Sequence, residues 1–205
     1  MRKKVCLACA IAGVMLMGAA TAFFTDRDSV ANEFIVGNVS VELTEPGWNP
    51  EDGKALTPNK TVKKDPQVTN TGSNDAFVFL QVKVPAATVK TAGEDGSLLD
   101  AKKQDLFHYT VNSGWKLVDQ SEEEDVTVYT YGYVAEDGGM KKLSPQGSTG
   151  ALFDSVTFLN LVEGQLEQDT KLSLDVDVLA IQTEDLGVSD GAPEDVLKLI
   201  RTQNS

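Results

Sequence analysis

The chain has 205 residues, two cysteines, one histidine and a formal net charge of −13, and this length indicates a single domain. Hydrophobic residues make up 41% and charged residues 24%, a globular composition that excludes general disorder. His108 alone cannot supply a multi-histidine zinc site, and 31 acidic residues against 18 basic ones argue against a nucleic-acid partner.

The first 22 residues predict a secretory signal peptide. The basic start Arg2 to Lys4 is followed by an apolar stretch of small residues, Val5 to Gly18. Ala20 and Ala22 then form the small-x-small pattern that a signal peptidase cleaves, here before Phe23. We therefore expect export and cleavage by a signal peptidase.

An uncleaved membrane anchor is the alternative, because the 20 residues from Val5 to Phe24 carry no charge and could span a bilayer. The richness in Ala and Gly and the cleavage pattern favour removal. Before removal, the uncleaved signal would be the part of the chain that contacts the membrane. Residues 23–205 would form a mature protein of 183 residues without cysteine, and the loss of three basic residues would make its net charge −16.

Five later segments predict β-strands, because apolar and polar residues alternate in them with period two. They are Phe34–Leu43, Ala76–Val84, Val126–Val134, Phe153–Leu161 and Lys171–Gln182. Turn-forming Gly, Asn, Asp and Pro lie between them, and strands do not alternate with helices. The pattern predicts an all-β fold, an antiparallel β-sandwich.

Two further segments predict short helices. In Leu98–Phe107, residues Leu98, Leu99, Lys102 and Leu106 lie roughly on one helical face. Pro193–Arg201 places proline in the first turn, acidic residues after it and a short apolar stripe behind them. We therefore expect one or two helices beside the strands.

No catalytic constellation is visible in the sequence. His108 lies between apolar neighbours and is interpreted as a surface histidine, and no serine has the G-x-S-x-G pattern around it. Asp26 and Asp28 are weak metal candidates, because their run resembles part of a calcium loop but lacks its glycine and glutamate. A solvated segment that caps a strand is favoured there. No cofactor is predicted, and a divalent metal is left open and unassigned.

Two strings carry a family resemblance. TAFFTDRDSVANEFIVGNVSVEL and KDPQVTNTGSNDAFVFLQV resemble the SipW-dependent signal-peptide family, which includes the biofilm fibre subunit TasA and camelysin. In that family the signal runs into an aromatic-Thr/Asn-Asp segment, here Phe23 to Asp26, and then a Gly-Asn strand. The second string matches the Lys-Asp-Pro, Asn-Thr-Gly and Asn-Asp-Ala elements, which begin here at Lys64, Asn70 and Asn74. The resemblance extends over about residues 1–200.

The resemblance implies a TasA/camelysin-like domain over residues 23–205, with a jelly-roll-like β-sandwich. It also implies export through a dedicated signal peptidase, the first partner of the chain, and secretion to the matrix or surface of a Gram-positive bacterium. Residues 23–32 would become a strand that is donated to a neighbouring subunit. The apolar contacts of this donor would be Phe23, Phe24, Val30, Phe34 and Val36. The alternative is that Phe34–Leu43 is simply the first strand of its own domain.

Three functions follow from these expectations. The first is a secreted structural subunit of extracellular matrix or cell-surface fibres, which self-associates by strand addition and has other matrix proteins as further partners. The second is a camelysin-like surface metalloendopeptidase, although the lone His108 and the missing H-E-x-x-H pattern argue against such an enzyme. The third is a monomeric surface module that binds glycans or proteins.

Overall fold

The computed structural model describes residues 39–54, 56–93, 95–166, 170–184, 186 and 191–203. The expected signal peptide, residues 1–22, and the donor segment, residues 23–32, lie outside these ranges. The expected cleavage, donor and metal residues also lie outside them; these are Ala20, Ala22, Phe23, Phe24, Asp26, Asp28, Val30, Phe34 and Val36. Within the described ranges, no helix is long and apolar enough to cross a membrane.

The described residues form ten β-strands, a short 3-10 helix at Pro50–Gly53 and one α-helix, and every strand pairing is antiparallel. The expected all-β class is therefore confirmed. The strands are β1 (Val41–Thr44), β2 (Thr61–Lys63), β3 (Gln67–Asn70), β4 (Ala76–Val89), β5 (Lys102–Asp105), β6 (Phe107–His108), β7 (Trp115–Glu122), β8 (Val126–Tyr133), β9 (Ser155–Phe158) and β10 (Asp175–Gln182). The α-helix is α1 (Pro193–Gln203).

The strands are arranged in three sheets. The largest has the order β10-β4-β8-β7, and β5 pairs with the far end of β4. A second sheet has the order β2-β9-β6, and β1 pairs with β3 in a third. Buried side chains from all three sheets belong to one hydrophobic core.

The central strand β4 shows why the largest sheet is covered on both faces. Its even-numbered residues from Val78 to Val84 are fully buried in the main core, as their alternation predicts. Phe77 and Phe79 lie on the other face and are also buried, in a second cluster with Ile181 and α1. A strand that is buried on both faces has apolar residues at both sets of positions along that length.

Helix α1 confirms the prediction at the C-terminal end of the described chain. It begins at Pro193, has two acidic residues in its first turn and Arg201 in its last turn, an arrangement that suits the helix dipole. Val196, Leu197 and Ile200 are buried against the phenylalanines of β4. The predicted apolar stripe is therefore the face that packs on the sheet.

The prediction of a helix at Leu98–Phe107 is wrong. These residues contain β5 and the first residue of β6, while Leu98 and Leu99 are 61% and 45% exposed. The physical reason is that β4 continues to Val89, five residues past its expected end, and its backbone pairs with β5. Tertiary pairing of this kind overrides a weak local helix preference.

Candidate functional site

The largest sheet ends at β10, and no described residue pairs with the outer side of residues 178–182. Strand β1 is also at a sheet edge, because within the described chain it pairs only with β3. The two strands come within 8 Å of each other, Cα to Cα, without pairing. Edge strands present backbone N–H and C=O groups that another strand can use. We define these two edges together as the open seam.

The inner face of the open seam is apolar, and its outer face is polar at Asp177 but apolar at Leu179 and Ile181, which pack in the cluster with α1. Val41 and Leu43 of β1 and Val176 and Val178 of β10 are buried in the main core. On the outer face of β10, Asp177 forms an ion pair at 2.7 Å with Lys83 of β4, and this hydrogen-bonded contact raises the pKa of Lys83. An added strand would therefore extend a sheet whose inner face is already packed.

The opposite edge of the same sheet, β7, is built differently. Its pairing with β8 is interrupted by a bulge between Leu117 and Asp119. Lys116 binds Glu194 of α1 at 3.0 Å, and Arg201 of α1 binds Asp119. Bulges and charged side chains on an edge strand prevent unwanted pairing with another chain.

The Lys-Asp-Pro element of the resemblance lies beside β1 and has a structural role. Lys64 Nζ lies 2.8 Å from one carboxylate oxygen of Glu45 and 2.7 Å from the other, the second contact lacking hydrogen-bond alignment. The side chains of Glu45 and Lys64 are 9% and 11% exposed, and Lys64 Nζ is 5.1 Å from the centroid of the Trp48 ring. Asp65 accepts a hydrogen bond from the backbone N–H of Gly47 at 2.7 Å. The element therefore ties the chain after β1 to the chain after β2.

The Asn-Thr-Gly element also builds the fold. The Asn70 side chain is fully buried, and its amide nitrogen donates to the carbonyl oxygens of Asn74 and Leu143, both at 2.8 Å. Its amide oxygen accepts from the N–H of Gly72 at 2.9 Å. One side chain therefore satisfies two backbone groups in the turn between β3 and β4 and joins this turn to the Leu143 carbonyl after β8.

A polar groove lies near β7, where β5, β7 and β8 meet, and has a volume of about 220 Å³. At its base, the Asp105 carboxylate accepts hydrogen bonds from Thr127 at 2.7 Å and from Tyr129 at 2.6 Å. Burial and this hydrogen bond to Asp105 raise the pKa of Tyr129. Behind it, Tyr109 and Tyr131 share a hydrogen bond of 3.1 Å, and burial raises the pKa of both.

Sequence reasoning missed this groove. Asp105 and Tyr129 are 24 positions apart, and Gln120, which also lines the groove, is on a strand that the alternation pattern did not predict. The residues belong to no motif with fixed spacing. The only available signal was the tyrosine-rich alternation of Tyr129, Tyr131 and Tyr133.

The described residues contain no group of three or more histidine, cysteine, aspartate or glutamate side chains that could hold a metal ion. His108 is exposed on β6, opposite Thr157 of β9. No observation in the described ranges therefore favours the metalloendopeptidase hypothesis.

No protein-family model, curated protein or solved structure matches this chain. The resemblance to the SipW-dependent signal-peptide family therefore stays a prediction that depends on its sequence strings.

Proposed function

We propose that this chain is a secreted structural subunit of extracellular or cell-surface fibres, and that it assembles by strand addition. The observation that carries the proposal is the open seam, where β1 and β10 are sheet edges among the described residues and lie beside buried apolar side chains. An edge strand gains backbone hydrogen bonds when a donor strand pairs with it, and apolar donor side chains add affinity.

The donor in this proposal is the segment 23–32 of a second copy, freed by cleavage after Ala22. Its residues Phe23, Phe24 and Val30 supply the apolar contacts, with Phe34 and Val36 following in the next stretch. The three sheets, joined by one core, are proposed to form the two layers of a jelly-roll-like sandwich. Other matrix proteins are proposed as further partners of the resulting fibre.

The test is to compare two purified forms, one beginning at residue 23 and the other at residue 33, by negative-stain electron microscopy. We expect filaments only from the longer form. Circular dichroism and thermal unfolding check that both forms have the same fold. If the two forms polymerise equally well, the donor-strand proposal is wrong.

A matched control separates the length of the donor from its chemistry. In it, residues 23–32 are replaced by ten residues of Gly and Ser. A flexible polar segment can reach the open seam, but it buries no aromatic side chain and has a higher entropy cost when it is ordered. We therefore expect no filaments from the control, and filaments at the normal rate would show that Phe23 and Phe24 are not the anchors.

A further inference from the structure

The polar groove beside β7 lies where the other two sheets no longer cover the inner face of the largest sheet. Leu80 of β4, Tyr131 of β8 and Leu117 of β7 form one row across the inner face of the sheet. Leu80 is fully buried, Tyr131 is 6% exposed and Leu117 is 45% exposed. In the next row, Val82 is fully buried, whereas Gln120 is exposed. The other sheets therefore cover β4 but leave the β7 side of this face open.

The groove offers a mixture of hydrogen-bond donors and acceptors. The Gln120 side chain is exposed, and within the described chain the Gln104 amide makes one long hydrogen bond of 3.3 Å, to the Val89 carbonyl oxygen. Asp105 supplies a carboxylate that is already oriented by two hydroxyl groups. Planar amide and carboxylate groups can bind adjacent hydroxyl groups of one ligand, and the half-buried Tyr129 ring adds an apolar surface with a polar tip.

Lys103, the cation that lines the groove, already has partners within the protein. Lys103 Nζ donates to the Glu123 carbonyl oxygen at 2.9 Å and lies 3.7 Å from the Glu122 carboxylate. Asp105 accepts from Thr127 and Tyr129. An anionic ligand would thus find no unpaired cation, and the carboxylates of Asp105 and Glu122 would repel it. The acidic chain would also repel a polyanion.

We propose that this groove binds a neutral polysaccharide through the hydroxyl groups of its sugar units. Its volume of about 220 Å³ is below the usual range for pockets that enclose a small molecule, so it would hold a short part of an extended polymer. A peptide that adds as a strand is disfavoured, because the β7 edge carries a bulge and charged side chains. This site is separate from the open seam and does not depend on fibre assembly.

The experiment uses the full chain as its expression host processes it, screened on an array of neutral and anionic oligosaccharides. The best neutral soluble oligosaccharide is then titrated by calorimetry. We expect millimolar or tighter binding, and we expect Gln120→Ala and Gln104→Ala each to weaken it about tenfold, the equivalent of one lost hydrogen bond.

The matched control is Gln182→Ala, which removes the same side chain at the β10 edge of the same sheet. It should leave the affinity unchanged. Absence of binding to every neutral oligosaccharide at millimolar concentration would overturn the proposal, as would binding only to anionic sugars. Equal weakening by Gln120→Ala and Gln182→Ala would place the ligand elsewhere and would also overturn it. None of these outcomes depends on whether filaments form.

Discussion

The two edges of the largest sheet, β10 and β7, differ in how open they are to pairing with a further strand. Both strands end the sheet, and both leave one side of their backbone without a strand partner in the described chain. β7 has a bulge, exposed charges and two ion pairs to α1. The first half of β10 alternates acidic residues with buried valines, its second half is apolar from Leu179 to Ile181, and the strand lies beside a second edge, β1.

This difference suggests a division of roles between the two edges. An edge strand that must not pair with another chain needs features that oppose pairing, and β7 has several of them. An edge that accepts a donor strand needs regular backbone geometry over a packed interior, which β10 and β1 provide. The polar groove then uses the protected side of the sheet, where a ligand can bind without interfering with assembly.

The largest expected effect comes from breaking the buried ion pair next to β1. Lys64→Ala would leave the Glu45 carboxylate in a site where it is 9% exposed, and removing one partner of a buried pair costs about 3–5 kcal/mol. Urea unfolding would measure this loss. Hydrogen exchange should show that the residues around β1 lose protection while β7 and β8 keep theirs.

A double variant is the control for this loss. Lys64→Met combined with Glu45→Leu removes both charges, so neither is buried alone, and such replacements are often neutral or stabilising. We expect the double variant to recover most of the stability. If it is as unstable as Lys64→Ala, the loss comes from the ion pair itself and not from an unpaired Glu45 carboxylate, because methionine keeps the apolar length of the lysine stem.

On the β7 side, Asp105→Asn should have a smaller effect. It replaces a charged acceptor of two hydrogen bonds with a neutral group, and hydrogen bonds to charged groups contribute about 1.5–3 kcal/mol each. Asparagine still accepts one hydrogen bond, so we expect a loss of about 1–3 kcal/mol in urea unfolding. An unchanged midpoint would mean that water replaces the carboxylate without cost.

The same cluster makes stability depend on alkaline pH. Burial raises the pKa of Tyr109, Tyr129 and Tyr131 above the unfolded value of about 10. Their contribution to stability is therefore complete below pH ~10 and is lost as pH rises from there towards the folded values. Absorbance of phenolate should show that these tyrosines ionise at higher pH in the native protein than in the unfolded one. Asp105→Asn should lower the pKa of Tyr129 towards its unfolded value, because it removes the charge of the carboxylate.

The sequence predicted the β10 edge but not the β7 edge, and the reasons are physical. The buried alternation of Val176 and Val178 was readable because only one face of β10 packs in the main core there. β7 was missed because its bulge after Leu117 and its charged side chains break the period. The buried partner of Lys64 lies 19 positions away, so the string that contains Lys64 was noticed but its role was not. Pairing across such distances leaves no periodic signal.

Salt should affect the proposed functions of the two edges differently. With a net charge of −16 on the form that begins at residue 23, copies repel each other until ions screen them, and the screening length falls from about 30 Å at 0.01 M to about 10 Å at 0.1 M. We expect roughly tenfold faster filament growth over this range, measured by light scattering. Binding of a neutral oligosaccharide should not change. Fastest growth at low salt and high pH would contradict the charge argument.

The smallest effect is expected from the ion pairs that join α1 to β7. Lys116 and Glu194 are about half exposed, as is Arg201, and exposed pairs contribute about 0.2–1 kcal/mol. The variant Lys116→Ala with Arg201→Ala should therefore unfold at nearly the same urea concentration, because Phe77, Phe79 and the buried face of α1 hold the helix. Since the bulge and Asp119 remain, β7 should still not act as an acceptor. New filaments from a form of this variant that begins at residue 33 would show that the helix contacts alone protect this edge.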